Sequence, residues 1–298
     1  MRRVSLTTIF IIIICSQFNI AVGQTAWKRS ETQPLFDLQL FRANQTINLP
    51  TAETLERGNI EFEIAHRFLP QISQGFDYFY GLDGQVIMRV GLSYGIINKL
   101  MIAAAHSNLE DNNDFRFRWK FLQIRNKDLP LLAAVQAGMG WSTEVYVDGT
   151  RRPKNDSRNI QLYGQLILNT LIQKKLGIGL VSSYVSNSNT DEPVKKHTIN
   201  LGGYIEYYLT KMLGVMVEIT PVVDGFKRPY NSASFGFEIN TGGHFFKLIA
   251  TNSTYINPSQ YLAGADAKFK PKEWHFGFNI TRLFQTSKPE STGVDSGS

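Results

Sequence analysis

Cysteine is almost missing from this chain. Its 298 residues contain one, Cys15, inside an N-terminal stretch with the features of an export signal. Arg2 and Arg3 precede an apolar run through Ile14, and Ala21, Val22 and Gly23 put small residues where a signal peptidase reads. Cleavage is expected before Gln24, making residues 1–23 a signal peptide. Ile14 stands where a lipobox calls for a small residue, which argues against lipidation of Cys15. Without residues 1–23 the chain has no thiol, which excludes disulfide staples and thiol chemistry.

Long apolar runs are also missing. The run ending at Ile14 is far shorter than the roughly 20 residues a spanning helix needs, and no later stretch is long enough. Yet 43% of the residues are apolar and 12% aromatic, so they must sit in short, interrupted segments. Charge of one sign is scarce: the net +6 falls to about +4 without Arg2 and Arg3 and forms no cluster, so no nucleic-acid partner is expected. His66, His106, His197, His244 and His275 have no local ligand spacing, so no metal or other cofactor is expected.

What is present is a period of two. Phe115, Phe117, Trp119 and Phe121 alternate with Arg116, Arg118 and Lys120, which in a strand sets an aromatic face against a triply cationic one. Ile60, Phe62 and Ile64 oppose Glu61, Glu63 and Arg67. Met88, Val90 and Leu92 oppose Arg89 and Ser93, and Leu213, Val215, Val217 and Ile219 oppose Glu218 and Thr220. Further segments run near 99–107, 130–141, 158–169, 174–185, 196–208, 232–240, 244–251 and 273–284, for about twelve strands.

The connections separate a soluble sandwich from a barrel. Those at 95–98, 125–129, 170–173, 209–211 and 241–243 are tight, whereas those at 69–84, 108–113, 141–157, 186–195, 221–231 and 252–272 are longer and polar. Strict short-long alternation gathers all long loops at one end of an up-and-down sheet, as in outer-membrane barrels; Greek-key sandwiches seldom produce it. The expected fold is all-β, an up-and-down antiparallel transmembrane β-barrel with short periplasmic turns and longer extracellular loops, spanning residues 58–284.

Near the C-terminus, Trp274, Phe276, Phe278 and Ile280 alternate up to Phe284 and resemble the strand by which barrel-assembly machinery recognises its clients, although a polar tail, 285–298, follows. That tail reads as disordered. In the segment 24–57, Thr51 after Pro50 and a terminal Gly58 suggest a short capped helix, either in the periplasm or folded into the lumen as a plug. Thr51-Ala52-Glu53-Thr54-Leu55 through Gly58, then His66-Arg67-Phe68, Phe79-Tyr80-Gly81-Leu82-Asp83-Gly84 and Tyr94-Gly95 resemble an uncharacterised bacterial β-barrel family, a domain of unknown function. The resemblance implies an envelope barrel and supplies no site residues.

The candidate site is therefore the lumen, with inward charges at Glu61, Glu63, Arg89, Arg116, Arg118, Lys120, Glu206, Glu218 and Glu238. Cations on strands two and four would face acids on strands eight to ten across a barrel of twelve. Such a field orients polar solutes in a pore, and the same charges could instead pair across the lumen and close it. Two functions follow: a pore or transporter for a small solute, limited by the loops from Leu69 and Trp141, or a non-conducting anchor that docks a periplasmic protein. A lipid-cleaving barrel needs Ser and His on one face, and the adjacent His106 and Ser107 point to opposite faces, so no catalytic residues are expected. The expected surroundings are outer-membrane lipid and barrel-assembly machinery in a Gram-negative envelope.

Overall fold

The computed structural model describes residues 38–285. The expected export signal, the first part of the 24–57 segment and nearly all of the 285–298 tail lie outside the described residues.

Among the described residues, twelve long strands form one sheet: β1 (Ile60–Gln71), β2 (Val86–Ile97), β3 (Leu100–Ser107), β4 (Asn112–Ile124), β5 (Leu131–Ser142) and β6 (Ile160–Ile172), then β7 (Leu176–Ser186), β8 (His197–Tyr208), β9 (Leu213–Thr220), β10 (Ser232–Asn240), β11 (His244–Thr251) and β12 (His275–Phe284). Each strand pairs antiparallel with its sequence neighbours. The sheet closes because β1 pairs with both β2 and β12, Ile60 lying opposite Tyr94 on one side and Phe284 on the other. Past Pro221 the chain continues β9 through Val222–Gly225, which pairs with β8 after a register shift. Closure leaves no strand edge, which a sheet in hydrocarbon requires because no water is there to satisfy free backbone groups.

The period of two decides the faces. Along β4, Phe115, Phe117, Trp119 and Phe121 are exposed on the outer wall while Arg118 and Lys120 are buried inside. Leu92, Ile102, Leu166, Leu180, Ile205 and Val217 extend the apolar exterior around the ring. That exterior suits acyl chains and would be a severe liability in water.

Two chain segments fill the interior. The stretch 38–57 enters at the short-turn end, where Leu38 N–H donates to Gln123 Oε1, and leaves there, where Thr54 Oγ1 and Arg57 N–H donate to Asn98. The sequence-predicted helix after Thr51 does not form. Residues after Thr51 are instead tied to separate partners: Ala52 N–H donates to Asn169 Oδ1, Glu53 O accepts Arg118 Nη1, and Glu53 Oε1 accepts the N–H groups of Leu40 and Phe41. A β-bridge between Gln45 and Pro50 closes its deep tip. From the long-loop end, residues 252–265 fold inward around the single helical turn α1 (Pro258–Tyr261), which is fully buried.

Both segments meet the barrel wall in one apolar cluster. Leu40, Phe41, Leu49 and Ala52 of the first and Tyr261 and Leu262 of the second join Leu132, Tyr163, Ile167, Val181 and Tyr204 of the wall. Inward glycines make the room: a Cβ at Gly177 would lie 2.7 Å from the Phe41 ring, and one at Gly140 would lie 2.3 Å from Ser259 Oγ. The wall is thus shaped to receive these two segments.

Candidate functional site

The lumen is built from alternate residues of every strand, and its charges are arranged around the 38–57 segment. Arg118 Nη1 donates to the carbonyls of Asn44 at 2.6 Å and Glu53 at 2.9 Å, while its Nε and Nη2 hold Gln136 Oε1 on β5. Lys120 Nζ lies 3.2 Å from Glu53 Oε2. Lys247 Nζ on β11 donates to the carbonyls of Gln45 and Thr46 at 2.5 and 2.8 Å, with Glu238 of β10 at 3.6 Å. A carbonyl-gripping cation satisfies an orphan acceptor while keeping its own desolvation tolerable.

Acids hold the same segment by its donors. Glu218 of β9 accepts the backbone N–H groups of Ile47, Asn48 and Leu49 together with Thr46 Oγ1 and Asn48 Nδ2, at 2.8–3.2 Å. Successive N–H groups aimed at one carboxylate form an anion-binding nest. Glu61 accepts Asn44 Nδ2 at 2.7 Å, and Glu63 accepts Gln45 Nε2 at 2.5 Å while pairing with Arg89 of β2 at 2.7 Å.

The remaining sequence-predicted charges sit elsewhere on the wall. Arg116 lies 3.7 Å from Asp114, whose other oxygen accepts Tyr163 Oη–H at 2.7 Å. Glu206 is buried on β8 against Gly214 of β9. Direct ion pairs join adjacent strands, as in Arg89 with Glu63 and Lys247 with Glu238, so the expected separation into a cationic and an acidic wall is blurred. What spans the lumen is the segment itself.

Sequence reasoning missed Lys247, Glu53 and the amide row of Gln136, Gln165 and Asn169, and left Arg67 out of the lumen set. Arg67 Nη2 donates to Asn48 Oδ1 at 2.9 Å and Nη1 to Asn279 Oδ1, and Asn279 Nδ2 in turn donates to Ile47 O. For the strand residues, inward parity was the available signal; Glu53, outside any strand, carried none. Beside the expected loops from Leu69 and Trp141, of which Leu69 lines the vestibule at that end, residues 252–265 reach inside, where Gln161 donates to Ser259 O, Asn200 to Leu262 O and Asn257 to Asn112.

Two vestibules flank the filled waist. One of about 430 Å³ at the short-turn end is lined by Arg42, Asn44, Glu53, Glu61 and Lys120. The other, about 250 Å³ at the opposite end, is lined by Leu69, Asn252, Asp266 and His275. Among the described residues no three His, Cys, Asp or Glu side chains converge as metal ligands. His106 Nδ1 lies 3.2 Å from Asn113 Oδ1 on the outer wall, but the positions two residues from His106 are Ala104 and Asn108, not serine.

A closed sheet, an apolar exterior and a polar, internally plugged lumen define a membrane-spanning β-barrel of the outer-membrane kind. Residues 41–284 match the family described as membrane bound beta barrel domain (DUF5777), and the chain belongs to that family. No curated protein matches. Among solved structures, the chain is similar to one titled KdgM porin at 10% identity, covering 76% of this chain and 99% of that one with a TM-score of 0.46. It is also similar to the COG4313 outer membrane channel from Pseudomonas putida F1 at 10% identity, 78% and 98% coverage and a TM-score of 0.42. Outer membrane phospholipase A from Escherichia coli matches at 9% identity, 77% and 91% coverage and 0.42. At these values the likeness is one of barrel architecture and carries no argument about function.

Proposed function

We propose that the protein is a gated outer-membrane conduit for a small polar solute, with the 38–57 segment as its internal gate. The observation that carries this reading is the character of the grip. Arg118 and Lys247 hold the segment by backbone carbonyls and Glu218 holds it by backbone amides, across a polar lumen. Water can replace such bonds one at a time as the segment moves, each at about 1.5–3 kcal/mol because one partner is charged, whereas an apolar core offers water no such exchange. A segment held this way can leave without unfolding the barrel, whose own backbone bonds are complete in the ring.

The second reading, a non-conducting barrel that anchors or docks an envelope partner, is favoured by the apolar cluster joining both inserted segments to the wall. Either reading includes export with cleavage before Gln24 and insertion by barrel-assembly machinery, and N-terminal sequencing of the mature protein tests the cleavage.

A thiol lock separates the two functions. Ala52 and Asn169, joined by a 2.6 Å bond, are replaced by cysteine in a Cys15→Ser background. A gated conduit shows channel openings in planar bilayers that vanish on oxidation and return on reduction. A wild-type barrel that is silent in bilayers and takes up no small solute in vesicles leaves the anchor reading.

A further inference from the structure

Four aromatic side chains are exposed at one point of the long-loop rim. After β1 the chain turns through Ile72–Gly81, where Phe76 is 76% exposed and Tyr78, Phe79 and Tyr80 are also exposed, followed by Leu82. Phe79 and Tyr80 hold φ at 45° and 54°, a region that bulky L residues avoid. Two backbone bonds, Leu82 N–H to Phe79 O and Asp83 N–H to Tyr78 O, pin that shape. The plugged lumen makes no use of these rings.

They are continuous with the lipid-facing wall. Ile72 N–H donates to Trp274 O at the foot of β12, and the turn packs on Pro271–Glu273. There the Trp274 ring lies 5.0 Å from that of Phe269, and on the outer wall Phe68 meets Phe278 at 6.3 Å. The same stretch carries Lys268, Lys270 and Lys272, all exposed. Aromatic rings beside cations at a barrel rim match the boundary between acyl chains and headgroups, where amphipathic rings settle and ammonium groups meet phosphate.

We propose that this patch, the rings of 76–82 with the lysines of 268–272, is a seat for a phosphate-bearing anionic lipid of the leaflet at the long-loop end. Phe76 and its neighbours enter the acyl boundary, and the three ammonium groups take the headgroup. Asp77 and Asp83 on the same turn are also exposed. This seat is independent of whether the barrel conducts.

The test uses the full chain with Cys15→Ser and a polarity-sensitive dye on Phe76→Cys, against a control dye on Thr150→Cys at an exposed loop tip. Each barrel, checked for heat-dependent gel migration, is placed in phosphatidylcholine vesicles with or without phosphatidylglycerol, the acyl chains brominated near the headgroup. The expected result is severalfold stronger quenching at 76 than at 150, increased by phosphatidylglycerol. Lys268→Gln, Lys270→Gln and Lys272→Gln together should abolish the increase while leaving quenching in phosphatidylcholine. Equal quenching at 76 and 150, or an increase that survives the triple substitution, overturns the proposal. So does a dye at 76 that responds to a soluble oligosaccharide and not to lipid.

Discussion

The Glu218 carboxylate holds Asn48 at three points: the Asn48 backbone N–H lies 3.1 and 3.0 Å from its two oxygens, and Nδ2 lies 2.8 Å from Oε1. With Thr46, Ile47 and Leu49 on the same carboxylate, one wall residue fixes the tip of the 38–57 segment. Hydrogen bonds to a charged group contribute about 1.5–3 kcal/mol each, and roughly 1.4 kcal/mol is a tenfold change in an equilibrium.

Glu218→Gln removes the charge and turns one acceptor into a donor facing other donors. The expected outcome is a barrel that still shows heat-dependent migration but opens at least about tenfold more often in planar bilayers. An unchanged open probability in a conducting wild-type background would remove Glu218 as the latch.

Topology gives a second expectation. The loop around Arg151 carries an exposed hairpin, Tyr146–Val147 with Thr150–Arg151, at the long-loop end, while Gly242 lies in the short turn between β10 and β11. A protease-cleavable tag inserted between Arg151 and Asp156 should be cut in intact cells, and one at Gly242 should survive until the envelope is opened. The opposite protection pattern would invert the barrel.

The mouth has a pH-dependent tie. Glu110 accepts Ser142 Oγ–H at 2.8 Å and Thr190 Oγ1–H at 3.2 Å, joining three loop ends. Burial, with Asp191 nearby, raises its carboxyl above the ordinary range, partly offset by those two hydroxyls and by Arg228. A raised folded-state value means that the native mouth binds the proton more tightly than the unfolded chain does. The contribution is complete below the unfolded value and is lost as pH rises through the folded one. Wild type should therefore lose stability relative to Glu110→Gln in detergent melts as pH rises from the ordinary glutamate value through the raised folded-state one. A constant difference across that range would show that Glu110 does not titrate there.

The barrel was legible because a strand's faces are a local property. The alternation of Phe115 through Phe121 with Arg116 through Lys120 and the short-long loop rhythm both survive in single-sequence form. The filling of the lumen was not legible, because it depends on fit between distant residues. Phe41 finds its space only because position 177 is glycine, and α1 lies against β5 only because position 140 is. The Thr51 helix signal failed for the same reason. Capping preference is worth about 1 kcal/mol, and the wall partners Asn169 and Arg118, on Ala52 N–H and Glu53 O, outweigh it. Charge was weighed at the sequence level and amides were not, so the Gln136, Gln165 and Asn169 row escaped notice.

Phe117 and Arg118 are chain neighbours that meet opposite solvents: Phe117 is 47% exposed on the outer wall, and Arg118 is 3% exposed inside. Phe117→Arg puts a cation into hydrocarbon at about 2–4 kcal/mol if near the bilayer midplane, enough to impair assembly of a single barrel. Arg118→Gln leaves the outer wall untouched. It releases the carbonyls of Asn44 and Glu53 and frees Gln136, groups that water can solvate once the segment shifts. Phe117→Arg should therefore lose folded, heat-shifting barrel from the membrane fraction, while Arg118→Gln should accumulate near the wild-type level. In bilayers the second variant should open more readily than wild type, and its open state should favour cations more, because one wall cation is gone. A Phe117→Arg barrel that assembles as well as wild type, beside an Arg118→Gln barrel that does not, would reverse the assignment of faces on which the proposed gate depends.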